Sequence, residues 1–413
     1  MLELLEAVGG SDLPVRVVSP DGDSLGPDDA ATTLRIVSPD AIHRIITARG
    51  QQLGFARAIV AGDIEVEGDI FGLFDVHDRV AKPRFDLGVM RLAAHTLGLH
   101  GVRDVAKLRP LPPPPEEIIL RGRRHSRQRD ADAIASHYGV SNGFYRLLLG
   151  PSMTYSCAVF DSVDDSLEQA QFNKHELICR KLGLAPGMRL LDIGCGWGSM
   201  ALHAAQNHGV SVVGVTISED QHDLATKRVA NAGLSDRVEI RLQDYRDVED
   251  GPFDAISSVG MAEHVGGESQ QRTYFGRVKR LLAPGGRFLN HAISRSPAHN
   301  PAAKGSFVQH FVFPDGKLHE IGRTVSLLQD AGFEARHVET FRLHYARTLR
   351  RWLANLEENW DAAVAEVGRG RALVWRIYIA GSAVSFERGV IGVHQTLCVR
   401  EDQPGVLPLR PDW

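Results

Sequence analysis

The chain is poor in cysteine, has no long apolar run and carries almost no net charge, and each shortage excludes a class of function. Its four cysteines, Cys157, Cys179, Cys195 and Cys398, form no CxxC pair and no even ladder of spacings. That pattern suits reduced thiols better than a disulfide framework or a zinc site, and no metal is expected. No stretch of about 18 apolar residues occurs, so no membrane-spanning helix is expected. The start, Met1-Leu2-Glu3-Leu4-Leu5-Glu6, is acidic and lacks the basic opening and apolar core of a secretory signal. The expectation is a cytoplasmic protein that meets any lipid at the inner membrane surface. Lys and Arg number 47 against 51 Asp and Glu, and a formal charge of -4 gives no field that would gather nucleic acid. An anionic partner must therefore meet a local basic patch.

What is present falls into three stretches. Residues 12 to 73 read as short strands and turns, with Leu13 to Val18 running into Ser19-Pro20-Asp21-Gly22-Asp23 and Thr33 to Val37 into a second Ser-Pro-Asp. Asp21 and Asp23 lack the spacing of a calcium loop and read as turn residues. A helical stretch follows to about Leu108. The run Arg109-Pro110-Leu111-Pro112-Pro113-Pro114-Pro115 cannot be helix or central strand and reads as a stiff exposed spacer. After it Arg121, Arg123, Arg124, His125, Arg127 and Arg129 crowd into nine positions. They form either a solvated helix start beside Asp130 and Asp132 or a contact for anionic lipid head groups, worth roughly 1 kcal/mol per basic residue. The division is an N-terminal lipid- or dimer-associated domain over 1–109, a proline-rich linker and basic segment over 110–129, and a catalytic domain over 130–413. Two domains also suit the length.

From Arg189 onward short apolar runs alternate with helical stretches. Arg189 to Ile193, Ser211 to Val215, Val238 to Leu242, Phe253 to Val259 and Arg287 to Ile293 read as strands, with helices such as Asp220 to Ala232 and Gln271 to Leu282 between them. This predicts an α/β, doubly wound, mostly parallel sheet covered on both faces. Ligands in such sheets bind beyond the carboxyl ends of the strands. The first such end is Asp192-Ile193-Gly194-Cys195-Gly196-Trp197-Gly198-Ser199. A dinucleotide fingerprint would need glycine where Ser199 stands, and an acid at the next strand end, where Gly214-Val215-Thr216-Ile217 offers none. NAD is disfavoured. The D-x-G-x-G-x-G form resembles class I S-adenosylmethionine (SAM) methyltransferases, which makes Asp192, Gly194, Gly196 and Gly198 candidate cofactor residues. Asp192 has a second reading as a cap of its own turn, and Ser218-x-x-Gln221 also reads as a helix capping box.

Several segments together resemble a narrower family. They are His137 to Tyr145, Gly150 to Phe160, Gly214 to Gln221, Gln243-Asp244-Tyr245-Arg246-Asp247 and Ser258 to Gly266. The likeness is to cyclopropane-fatty-acyl-phospholipid synthases and mycolic acid cyclopropane synthases, over roughly residues 130 to 400. The resemblance implies a class I methyltransferase fold with a mostly parallel seven-stranded sheet and a smaller N-terminal α+β domain. It places Tyr155, Ser156, Gly194, Gly196, Thr216, Gln221, Gln243 and Asp244 on SAM-binding positions, with Asp192, Gly198 and Ser218 beside them. It also implies a bicarbonate ion held by Glu263, His291 and Tyr345, with backbone contacts from Cys157 and Ile293. Taken singly, His291 would read as a structural histidine and Glu263 beside His264 as a surface pair. A cysteine long attractive as a nucleophile in the family has its counterpart at Ser382, so no thiol is needed there, and Cys398 reads as a small apolar filler.

The implied reaction adds the SAM methyl to the cis double bond of an unsaturated phospholipid acyl chain. Bicarbonate is the expected base. Prompt loss of a methyl proton from the cation closes a cyclopropane, whereas a prior hydride shift leads to an exocyclic methylene, the first step toward 10-methyl chains such as tuberculostearic acid. Asn290 to Arg295, Tyr345 to Trp352 and Asn359 to Gly368 resemble the methylene-forming branch most, so the expected product is a 10-methylene-stearoyl lipid. Such a product implies a reductase partner to saturate it. A homodimer is left open, and no nucleic acid is expected. Cyclopropane synthesis, methylation of a small N or O acceptor, and a non-catalytic lipid-binding role are the competing readings.

Overall fold

The computed structural model describes residues 13–48, 51–75, 109–120, 140–298 and 306–400, with single positions between 122 and 129 and after 406. The chain forms two compact units. One comprises Met1–Ile119, Ala302–Val312 and Val367–Val384, and the other Leu120–Pro301, Phe313–Glu366 and Ser385–Trp413.

The first unit holds a four-stranded sheet of β1 (Arg16–Val18), β2 (Ser24–Leu25), β3 (Thr32–Ile36) and β4 (Ile64–Gly68), in the order β2-β1-β3-β4. Asp21 and Asp23 lie in a turn: Ser19 N–H donates to the Asp23 carbonyl at 2.8 Å. Between β3 and β4, where strands and turns were expected, stand two helices, α1 (Asp40–Thr47) and α2 (Gln51–Val60). Ser38-Pro39-Asp40 starts a helix here. Ser38 Oγ accepts from Asp40 N–H at 3.1 Å, and the acid in the first turn suits the helix dipole. Leu53, Ala56, Ile59 and Val60 then bury one face at helical spacing.

The proline run is extended, as read, but it is fastened rather than free. Arg57 grips Glu117 through two bonds of 2.8 and 2.7 Å, His310 Nδ1 lies 2.8 Å from the same carboxylate, and Arg44 Nη1 donates to the Pro112 carbonyl at 2.6 Å. Both partners of the Arg57–Glu117 pair are largely buried, so the fork geometry counts for more than a surface pair would. The expected helix beyond Asp75, and Arg121, Arg123, Arg124, His125 and Arg127, lie outside the described residues.

The second unit carries β5 (Arg189–Ile193), β6 (Ser211–Thr216), β7 (Val238–Leu242), β8 (Phe253–Val259), β9 (Leu282–Arg295), β10 (Phe333–Thr340) and β11 (Ile391–Arg400), in the order β10-β11-β9-β8-β5-β6-β7. Pairing is parallel from β9 through β7, and β11 runs antiparallel to both of its neighbours. This is the mostly parallel seven-stranded sheet that the resemblance implied. The central strands β5, β6 and β8 bury apolar residues on both faces, because both faces are covered. Leu190 and Leu191, Val212 and Val213, Ala255 and Ile256, and Leu289 and Phe288 fall in turn into two different core clusters. Around the sheet lie α3 (Asn142–Leu149), α4 (Leu167–Leu182), α5 (Ser199–His208), α6 (Glu219–Asn231), α7 (Ala262–Val265) and α8 (Glu268–Leu281). The strand order reverses between β5 and β8, the place where this architecture opens a cleft. Among the described residues, no helix is long and apolar enough to cross a membrane.

Candidate active site

The loop after β5 turns through Gly194 and Gly196 at φ of 75° and 55°, a left-handed region that side chains resist. A Cβ at Gly194 would press on Met261 Sδ at 3.3 Å. Gly198 follows as the cap of α5. Asp192, at the end of β5, is 3% exposed and accepts from Ser257 Oγ of β8 at 2.7 Å. Burial pushes its carboxyl up to about 6, against the opposing pull of Ser257 and Lys174. Lys174 of α4 is itself buried and donates to Ser156 Oγ at 3.0 Å. Burial brings its ammonium down to about 7, with Cys157 and Asp192 acting the other way.

At the end of β6, Thr216 Oγ1 donates to Gln221 Oε1 at 2.8 Å, and Ser218 Oγ caps α6 by accepting from Gln221 N–H at 3.4 Å. Gln221 thus takes the capping position with its backbone while its side chain turns back to the strand. After β7, Gln243 Nε2 donates to the Asp247 carbonyl at 2.9 Å, and Asp244 accepts from Arg246 Nε and Nη2 at 2.8 and 2.5 Å. These strand ends surround a cavity of about 330 Å³. Nine of the eleven expected cofactor residues line it: Tyr155, Ser156, Asp192, Gly194, Gly196, Thr216, Gln221, Gln243 and Asp244. Gly198 and Ser218 stand at helix starts instead.

Of the other five expected residues, Cys157, His291 and Tyr345 lie beside Phe341, and Glu263 and Ile293 bond to each other. Cys157 Sγ reaches the Phe341 carbonyl at 3.7 Å, the His291 ring lies 6.4 Å from the Phe341 ring, and Tyr345 N–H donates to the Phe341 carbonyl at 2.9 Å. Glu263, on α7, accepts from Ile293 N–H of β9 through Oε1 at 2.7 Å. Its Oε2 is buried although the residue as a whole is only partly so, and desolvation lifts its carboxyl to about 7. Burial, with Lys174 and Lys181 adding to it, holds the His291 imidazole well below its usual range, so it is neutral at pH 7.

The tautomer of His291 follows from its neighbours. Lys181 Nζ donates to Gln395 Oε1 at 2.6 Å, which fixes the Gln395 amide so that its NH2 faces His291 Nδ1 at 3.3 Å. Nδ1 therefore accepts, and Nε2 carries the proton. Neither His291 Nε2 nor Glu263 Oε2 has a hydrogen-bond partner among the described residues, although both are buried. Tyr345, Trp352 and Tyr155 complete the wall, with ring centroids 6.0 Å apart for Tyr345–Trp352 and 5.3 Å for Tyr155–Trp352.

Sequence reasoning missed Lys174, Lys181, Ser257 and Gln395. A lysine in an amphipathic helix such as α4 reads as solvated, and only the packing shows both amines to be buried. Of the basic cluster, Arg129 is described, and it faces inward: its guanidinium pairs with Asp315 at 2.5 and 2.9 Å, and both side chains are about nine-tenths buried. That arginine is not a head-group contact. Cys398 is fully buried on β11, as the filler reading held.

The fold and the glycine cradle define a SAM-dependent methyltransferase of class I. The chain belongs to the family described as mycolic acid cyclopropane synthetase, whose model matches residues 125–396. It is 44% identical to a Mycobacterium tuberculosis protein named "Probable fatty acid methyltransferase Rv3720", over 100% of this chain and 97% of that one. Tuberculostearic acid methyltransferase UfaA1 of the same organism is 33% identical, over 95% of this chain and 89% of its own. Among solved structures, mycolic acid cyclopropane synthase CmaA1 complexed with SAH and CTAB is 34% identical, with a TM-score of 0.62, covering 65% of this chain and 98% of that one.

Proposed function

We propose that the enzyme adds the SAM methyl group to the cis double bond of an unsaturated acyl chain on a membrane phospholipid, working from the membrane surface, and gives a 10-methylene-stearoyl product from oleoyl lipid. The observation that carries this reading is the pair of open atoms in a buried wall, Glu263 Oε2 and His291 Nε2. An enclosed polar atom without a partner costs about 1–3 kcal/mol, so two such atoms, one on β9 and one on α7 bonded to β9, suit an exchangeable polar guest. Bicarbonate fits the donor set: Glu263 Oε2 would accept its O–H, while His291 Nε2–H and the Tyr345 hydroxyl would donate to its oxygens. When bound, it supplies a base that is not tied to the protein. The fatty-acid and tuberculostearic-acid names of the relatives agree with an acyl substrate.

The chain's own residues then have separate tasks. The glycine loop and Asp192 orient the sulfonium donor, and alignment of two reactants is worth up to roughly 7–11 kcal/mol. Tyr155, Trp352 and Tyr345 offer ring faces to a cation formed on the acyl chain, and they exclude water that would quench it. Glu263 and His291 stay clear of the cation and orient the base. A small-molecule N- or O-methyltransferase has no need of this second, buried polar group.

The test combines purified enzyme, dioleoyl phospholipid vesicles, SAM with a labelled methyl group, and carbonated buffer without reductant. Label recovered in lipid, with vinylidene protons in the NMR spectrum of the released fatty acids, supports the reading. High-field cyclopropane protons as the main signal overturn the methylene assignment, and label absent from lipid overturns the substrate. Saturation of the methylene would fall to a separate reductase.

A further inference from the structure

Away from the cofactor cleft, two helices bring together ligand types that the methyl transfer does not use. α4 carries Glu176 and Cys179 three residues apart, hence on one face. α5 packs against it and carries His203 and, as its last residue, His208. One ligand atom from each of Cys179, His203 and His208 lies within 4.8 Å of the other two. Both imidazoles give an Nε2–H to Glu176 Oε2, at 3.2 Å from His203 and 3.0 Å from His208. Cys179 and His203 are buried, while the side chains of Glu176 and His208 keep 35% and 16% of their surface exposed, which leaves a path for an ion.

We propose that Cys179, His203 and His208, with the Glu176 carboxylate against both rings, form a structural site for a divalent cation of the zinc class. A thiolate with two imidazoles selects zinc or cobalt over magnesium and calcium, which prefer oxygen ligands alone. One thiolate and one carboxylate balance a double positive charge, so the loaded site is neutral where it is half-buried. Loading releases the Cys179 thiol proton to solvent and requires each ligating ring nitrogen to present its lone pair. Glu176 already fixes the orientation of both rings, the role that carboxylates play beside ligating histidines. The consequence reaches the active site through the helices. α5 begins at the cofactor loop, and α4 carries Lys174, so an ion joining Cys179 to His203 and His208 ties the far end of α5 to the helix that flanks the cofactor. A search for CxxC spacings passes over this set because its ligands come from two helices.

The test uses the full chain without a polyhistidine tag, stripped with a chelator and titrated with Zn²⁺ or Co²⁺. Expected are about one cobalt per chain with a thiolate-to-metal charge-transfer band and tetrahedral d–d bands, and a rise in melting temperature with zinc. Cys179→Ser removes the charge-transfer band. His208→Asn, on the exposed side where the fold tolerates it, weakens zinc binding by at least about tenfold and removes the thermal shift. Circular dichroism matching the unsubstituted chain shows that both variants fold. Three results would overturn the site: no stoichiometric binding, a cobalt spectrum without the thiolate band, or equal zinc stabilisation in His208→Asn and the unsubstituted chain. The last two outcomes would leave a hydrogen-bonded Glu176–His203–His208 cluster and an ordinary buried thiol.

Discussion

The two sides of the strand ends are built on opposite rules. On the side of β5, β6 and β7, the polar side chains singled out are paired within the chain: Asp192 with Ser257, Thr216 with Gln221, Gln243 with Asp247, and Asp244 with Arg246. On the side of β9, Glu263 and His291 each satisfy one atom and leave another open in a buried wall. The first arrangement is a finished scaffold that sets the shape of a cavity. The second leaves room for the exchangeable guest proposed above, and on that reading the contrast separates binding the donor from completing the reaction.

The harshest trial of this contrast is Glu263→Gln. We expect turnover to fall by at least about a hundredfold while SAM affinity, read by calorimetric titration, stays within a few-fold. Joint loss of binding and activity would assign Glu263 to the cradle and erase the distinction. A second trial uses pH. The Glu263 carboxyl sits at about 7 in the fold against the usual 4.5, so the folded state holds its proton longer than the unfolded chain does. Stability from this group is therefore full below about 4.5 and declines as pH rises toward 7. Glutamine does not titrate, and Asp192 and Lys174 are common to both proteins. The stability of Glu263→Gln relative to the unsubstituted enzyme should thus rise by on the order of 2 kcal/mol between pH 4.5 and 7.5, measured by denaturant titration. A flat difference would mean that the carboxyl titrates as if exposed.

The cradle side should answer in the reverse manner. Gln221→Ala removes the partner of Thr216 and should weaken SAM binding about tenfold while keeping the rate at saturating cofactor, as steady-state kinetics will show. A fall in the saturated rate alone would move Gln221 across the divide. The mildest substitution is Ser382→Ala. No nucleophile is assigned to that position, so most activity should remain, and a loss of about a hundredfold in an intact fold would bring covalent catalysis back.

Much of the catalytic unit was legible because its central strands are buried on both faces and so leave short apolar runs, and because the left-handed turns of the cofactor loop favour glycine. The first unit was less legible. Ser38-Pro39-Asp40 serves equally well to end a strand and to start a helix, and α1, which it starts, buries only Ala41, too little to betray a helix in the sequence. The compact unit around the first sheet also takes in Val367–Val384, a long-range association that no local pattern announces. At the site, the residues that set protonation were hidden for a similar reason. Lys181 and Gln395 are 214 positions apart, and neither hints alone at a bond to the other.

That bond has a further consequence. Because the Lys181 ammonium holds the Gln395 oxygen, the amide cannot rotate without breaking contacts at both ends, and His291 presents a donor to the wall and nothing else. An ionised Glu263 Oε2 presents the opposite. A guest that bridges them must both give and take a hydrogen bond, so hydrogen carbonate qualifies, whereas nitrate, of similar size and equal charge, has no proton to offer and answers only half of the wall. If the proposed anion site holds, a lysine that touches no reactant would sort its guests by whether they carry a hydrogen.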